Sequence, residues 1–274
     1  MGGVSKLRHL LSHSAEEHFF TVEEVQNLIQ AIHKIKILDP ACGSGAFPMG
    51  ILHKLVYVLH KLDPKNEEWK RLQLNQAEKI PDVSIRKHVK KEIEEAFNEK
   101  NNYQDYGRKL FLIKNCIYGV DIQPIAIEIS KLRFFISLII DQKANKDKKD
   151  NYGIVPLPNL ETNFVAANTL VHLEKPEGLL IGDTLKKKLE NQLSDIRKQH
   201  FDARTYKEKK KNCERKIKRN AKEISEFLLK NQFSKDSASK IAEWNPYDRL
   251  KSADWFDPEH MFGISPPSPE LGSN

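Results

Sequence analysis

The chain has 274 residues, of which 39% are hydrophobic and 30% charged. That is enough apolar material for one large or two small folded regions, with part of the chain left as solvated helix. A net charge of +7 fits an anionic partner such as nucleic acid, and a surface made basic for solubility alone fits it as well.

The first clear element is a helix. Val22, Val25, Leu28, Ile29 and Ile32 share one helical face, and Thr21 with Glu24 forms a capping-box pattern at its start. Ile35 to Leu38 then reads as a short strand ended by Asp39-Pro40. After Gly43 and Gly45, the positions Ile51, Leu55, Val58 and Leu59 mark another amphipathic helix. Strand, glycine-rich turn and helix in this order open a nucleotide-binding α/β unit.

Residues 61–110 are polar and charged, with helical spacing at Ile85, Val89, Ile93 and Phe97, and read as an inserted helical excursion. Core character returns at Cys116 to Val120, a second strand ending in Asp121. Ile125, Ile129, Leu132, Ile136 and Ile139 predict a second crossover helix, and Asn163 to Ala167 a third strand that ends at Asn168-Thr169.

From Thr184 to Trp244 the sequence has no glycine or proline. Leu185, Leu189, Leu193 and Ile196 repeat at helical spacing, as do Ile217, Ile224, Phe227 and Leu228, which predicts a long helical hairpin. Lys207, Lys209, Lys210, Lys211, Arg215, Lys216, Lys218 and Arg219 make its middle basic. Such a run is a solvated helix surface or a contact to DNA phosphates. Ser265-Pro266-Pro267-Ser268-Pro269 and the residues after it show no apolar periodicity and read as a disordered, truncated tail.

Cys42, Cys116 and Cys213 lie far apart without a C-x-x-C pair, so no disulfide framework or metal site is expected, and a reducing, cytoplasmic setting fits. His9, His13 and His18 lack metal-ligand spacing. No apolar signal core follows Met1, and apolar stretches such as Phe134–Ile140 are too short to span a bilayer.

The segment Asp39-Pro40-Ala41-Cys42-Gly43-Ser44-Gly45-Ala46-Phe47 carries the most chemistry. Glycines let the backbone turn tightly and approach a ligand, and the helix that follows offers free N–H groups. A dinucleotide fingerprint needs a third glycine where Pro48 stands, and a phosphate-cradling loop needs a Gly-Lys-Ser/Thr ending, which is absent. What remains is an acidic acceptor, Asp39, beside N–H donors. That suits an amino-acid-bearing nucleoside such as S-adenosylmethionine. The alternative is a tight turn with no ligand.

This segment resembles the first motif of adenine-specific DNA methyltransferases, most closely those of type I and type IIG restriction-modification proteins. The resemblance implies a Rossmann-like methyltransferase fold, here partial and carrying helical insertions. It places Asp39, Pro40, Ala41, Cys42, Gly43 and Gly45 in a loop around the methionine part of S-adenosylmethionine. Tyr118-Gly119-Val120-Asp121-Ile122-Gln123-Pro124 resembles the second motif, with Asp121 on the ribose hydroxyls and Ile122 against the adenine ring. An ordinary strand-ending aspartate is the alternative for Asp121. Asn168 matches the position that reads the cofactor's adenine edge, and it is also a natural turn former. Phe19-Phe20-Thr21 resembles the aromatic-Thr-Pro segment that lies over the cofactor, with Val22 in place of the proline. Thr21 serves there or only as a helix cap.

In the family, the target amine is held by Asn/Asp/Ser-Pro-Pro followed by an aromatic residue that stacks on the flipped base. Ser265-Pro266-Pro267 lacks the aromatic, and Asn245-Pro246-Tyr247 has one proline only. Trp255 to Glu259 resembles the stretch just upstream of that motif. The expectation is therefore a fragment without catalytic residues of its own, inactive alone, whose parent methylates DNA adenine. It divides into an N-terminal helical cap (1–34), a cofactor-binding α/β core (35–183, insert 61–110), a basic helical hairpin (184–244) and an irregular tail (245–274). The alternatives are a non-catalytic DNA-binding or interaction module and a methyltransferase for a non-DNA substrate.

Overall fold

The computed structural model describes residues 2–12, 17–155, 160–173, 207–230 and 234–264. Its elements in chain order are α1 (Gly3–Leu11), α2 (Val22–Lys34), β1 (Ile37–Asp39), α3 (Ala46–Leu62), α4 (Glu67–Glu78), α5 (Val83–Ala96), α6 (Asp105–Asn115), β2 (Ile117–Asp121), α7 (Pro124–Ile139), a 3-10 turn (Lys148–Gly153), β3 (Phe164–Ala166), α8 (Lys207–Lys230), α9 (Lys235–Glu243) and α10 (Pro258–Phe262). The chain is mixed α/β, with a three-stranded sheet in the order β1-β2-β3. The expected first arm of the hairpin, His13 and Ser265–Ser268 lie outside the described residues.

The chain divides into two compact units. The first comprises 1–37, 46–117 and 132–155. The expected capping box opens α2: the Glu24 N–H donates to the Thr21 hydroxyl at 3.2 Å, and the Thr21 N–H donates to Glu24 Oε2 at 2.8 Å. The polar excursion resolves into α4, α5 and α6. Trp69 of α4 is fully buried and stands edge-on to Phe111, with ring centres 5.0 Å apart and His33 5.8 Å from Trp69. Arg108 is also fully buried. Asp105 and the Asp63 and Pro64 carbonyls take its guanidinium, which removes much of the cost of burying the charge. Asp63 in turn accepts the Glu67 and Trp69 N–H groups at 3.0 and 2.8 Å and so anchors the first turn of α4.

The second unit comprises 38–45, 118–131 and 156–274. Its core joins Tyr118, Val120, Val165 and Ala167 of the strand region to Ile224 of α8, Ala238 and Ile241 of α9, and Trp255, Phe256, Met261 and Phe262. β2 and β3 pair in parallel, with Gly119 opposite Phe164 and Asp121 opposite Ala166. The segment around Ala253 runs alongside the end of β3: Ala253 N–H donates to Ala166 O, and Asn168 N–H donates to Ala253 O, both at 2.9 Å. Residues 245–264, expected to be irregular, thus contribute to this core through Trp255 and α10. Asp257 caps α10 by accepting the His260 N–H at 2.8 Å, with Pro258 in the first turn and Gly263 ending it at φ +69°.

α7 forms where expected, but it buries a different face. Ile125, Ile129, Leu132 and Ile136 are exposed, while Ile127, Ser130, Phe134 and Leu138 are buried. The helix is apolar on both sides, so periodicity alone marks its existence and not its inner face. Among the described residues, no helix is long and apolar enough to cross a membrane.

Candidate functional site

The three polar residues singled out from the sequence stand where the three strands end, and the same local device holds each. Asp39 Oδ1 accepts the Ala41 N–H at 3.1 Å, Asp121 Oδ1 accepts the Gln123 N–H at 2.8 Å, and Asn168 Oδ1 accepts the Leu170 N–H at 3.1 Å. In each case a side-chain oxygen takes the backbone N–H two residues on. This turns the chain out of the sheet and fixes the side chain at the strand's end. Ligands of open α/β sheets bind at such carboxyl ends.

Asp121, on the central strand, ties the neighbouring segments together. Its Oδ2 accepts the Gly43 N–H at 3.0 Å, and its backbone carbonyl accepts the Ala167 N–H at 3.0 Å. One residue before it, the Val120 carbonyl accepts the Cys42 N–H at 2.8 Å. The glycine-rich turn after β1 is therefore stitched to the end of β2 through two backbone N–H groups. Inside the turn, the Gly45 N–H donates to Cys42 O at 2.8 Å.

The glycines are required for distinct reasons. Gly43 has φ +54° with nothing within 4 Å of a Cβ built on it, so conformation and not space selects glycine there. Gly45 has φ +83°, and a Cβ would stand 2.8 Å from Ser130 Oγ. Gly119 is a matter of space alone: its Cβ would meet the Phe164 ring at 2.7 Å and Cys42 Sγ at 2.9 Å. Cys42 is buried in this packing. Burial, with the negative charge of Asp39 and Asp121 adding to it, pushes its thiol up to about 12. Such a thiol stays protonated at neutral pH and is no nucleophile.

Pro40 and Ala41 are exposed on the turn, and Ile122 is 58% exposed directly after Asp121. Thr21 lies in the helical unit, where its hydroxyl caps α2. The turn, Asp121 and Asn168 all belong to the second unit. The residue that sequence reasoning missed is Ser130, whose hydroxyl donates to the Gly43 carbonyl at 3.0 Å. A hydroxyl on the helical stripe Ile127, Ser130, Phe134 was the available signal.

These groups fit a nucleoside that carries an amino acid. Each oxygen of the Asp121 carboxylate accepts one N–H, and a carboxylate oxygen can accept more than one, so acceptor capacity remains for a ribose diol. Gly43 opens onto free space, and exposed Ile122 offers an apolar flank. No group of three or more metal-ligating side chains is assembled among the described residues.

On α8, Ile217, Ala221 and Ile224 are buried. Its charged side chains pair along the helix: Lys218 with Glu214 at 3.2 Å, Arg219 with Glu223 at 3.0 Å and Lys222 with Glu226 at 4.0 Å.

Comparison with known proteins gives two matches. The model of the Eco57I restriction-modification methylase family matches residues 115–257, from just before β2 to the start of α10. A Methanocaldococcus jannaschii protein named as a type II restriction enzyme and methyltransferase is 33% identical over 143 residues, which covers 52% of this chain and 9% of the relative. This chain thus corresponds to a small part of that protein's length. No solved structure matches it significantly.

Proposed function

Because the chain belongs to the Eco57I restriction-modification methylase family, we propose that it is the S-adenosylmethionine-binding part of a DNA methyltransferase that modifies the 6-amino group of adenine. The observation that carries this reading is the Asp121 carboxylate. It stands at the end of the central strand, holds the Gly43 N–H, and keeps acceptor capacity for a ribose. The fold in this reading is the cofactor half of a Rossmann-like methyltransferase, with helical insertions.

When bound, S-adenosylmethionine supplies an electrophilic methyl group. The chain's own residues bind and orient. Asp39 and the backbone of Pro40 to Gly45 take the amino-acid end, Asp121 the ribose hydroxyls, Ile122 the adenine face and Asn168 its polar edge, with Thr21 assigned to the cofactor only by resemblance. Direct displacement needs no protein nucleophile, in keeping with the protonated Cys42 thiol. The work left to the protein is positioning and electrostatics. The sequence holds no Pro-Pro-aromatic acceptor motif, so this chain binds cofactor without transferring methyl.

The partner in this reading is DNA. The basic stretch Lys207–Arg219 supports it, since α8 buries Ile217, Ala221 and Ile224 and leaves Arg215, Lys216, Lys218 and Arg219 exposed. The pairs with Glu214 and Glu223 weaken it, because they offset part of that charge.

Calorimetric titration with S-adenosylmethionine, NAD and ATP tests the ligand. Heat is expected with S-adenosylmethionine alone, and preference for NAD or ATP would contradict the assignment. Incubation with DNA and methyl-labelled cofactor should leave the DNA unlabelled, and 6-methyladenine in its digest would overturn the binding-only role.

A further inference from the structure

Ser130 belongs to none of the motifs read from the sequence, and it is fully buried, so it has no surface with which to touch a ligand. Its hydroxyl reaches across 87 residues of sequence to donate to the Gly43 carbonyl at 3.0 Å. The same oxygen stands 2.8 Å from where a Gly45 Cβ would be. The Gly43 residue is therefore gripped at both ends from different elements: its N–H by Asp121 at the end of β2, its C=O by Ser130 on α7. The two grips serve different ends of the proposed ligand. In that reading Asp121 would take the ribose itself, whereas the buried Ser130 hydroxyl can act only through the turn.

We propose that Ser130 is a positioning residue for the amino-acid end of S-adenosylmethionine, fixing the shape of the glycine-rich turn before the ligand arrives. This rests on the cofactor reading above. A serine hydroxyl inside a helix ordinarily bonds back to its own preceding turn. Here it is used on a turn held at positive φ, where an unrestrained glycine has many alternatives. Without Ser130, the donor left to the Gly43 carbonyl among the described residues would be the Cys42 thiol at 3.6 Å, and a thiol is a weak donor. The turn would loosen while Asp121 and Ile122 kept their places.

The test compares S-adenosylmethionine with 5′-methylthioadenosine, which keeps the nucleoside and lacks the amino-acid arm. Affinities for both are measured by calorimetry on wild type, Ser130→Ala and the nearly isosteric Ser130→Cys. Both variants are expected to weaken S-adenosylmethionine on the order of five- to tenfold, the worth of one buried hydrogen bond. Binding of 5′-methylthioadenosine should change by less than about twofold. Where the alanine variant is unstable, the cysteine variant carries the comparison. Equal loss for both ligands would mean a merely structural role and would overturn the proposal, as would no loss for either. Failure of wild type to bind either compound would instead overturn the cofactor reading, and this inference with it.

Discussion

Around Trp69 the chain is held by bulk, whereas around Asp121 it is held by direction. In the helical unit, large side chains such as Trp69, Arg108 and Leu59 are buried, and their packing is what a substitution would damage. At the strand ends the elements are short, and polar side chains and carbonyls accept backbone N–H groups from neighbouring segments. Such bonds contribute little stability each but fix orientation closely. The contrast separates what keeps the chain folded from what would hold a ligand in place.

The largest effect should come from removing bulk. Trp69→Ala is expected to lower stability by about 3–5 kcal/mol in urea denaturation, by transfer loss and cavity formation. The protein that remains folded should keep its affinity for S-adenosylmethionine, and loss of binding beyond the loss of folded protein would break the separation. Gly119→Ala comes next. A methyl placed against the Phe164 ring and Cys42 Sγ should cost about 1–3 kcal/mol by overpacking, read from the same denaturation curve. A neutral effect would show that this contact can yield.

The smallest stability effect is a pH dependence in the helical unit. Burial, with Lys36 and Lys34 nearby, pushes the His33 imidazole down from 6.5 to about 4. As pH falls below about 6.5, the unfolded chain takes a proton that the folded chain refuses until about 4. His33 thus lowers stability progressively across that window and adds no slope above it. His33→Phe keeps the aromatic packing against Trp69 and Phe111 and should flatten the fall in melting temperature between pH 7 and pH 5. An unchanged slope would assign the dependence to other groups.

Local signals were legible in the sequence. The capping box at Thr21, the three strands and the turn after Asp39 each depend on neighbours a few residues away. The tie from Asp121 to Gly43 spans 78 residues and that from Ser130 to Gly43 spans 87, so no local pattern carries either. Gly119 read as part of a motif, while its reason, the Phe164 ring and Cys42 pressed against it, is a tertiary contact. The inner face of α7 was hidden because apolar side chains line both sides of that helix. Asp39, Asp121 and Asn168 read as ligand groups from the sequence, and each also makes its own turn, so the same residue types serve both ends. The family match begins at Asn115, beyond the glycine-rich turn, and the bonds from Cys42 and Gly43 join that turn to the matched span.

Titration of S-adenosylmethionine into wild type and Asp121→Ala, with melting curves confirming that both are folded, is the most direct test. Asp121→Ala removes the proposed ribose acceptor and releases Gly43 together, so affinity should fall on the order of 10- to 100-fold. Equal affinity in the two proteins, or no binding by wild type, would contradict the role assigned to the strand ends.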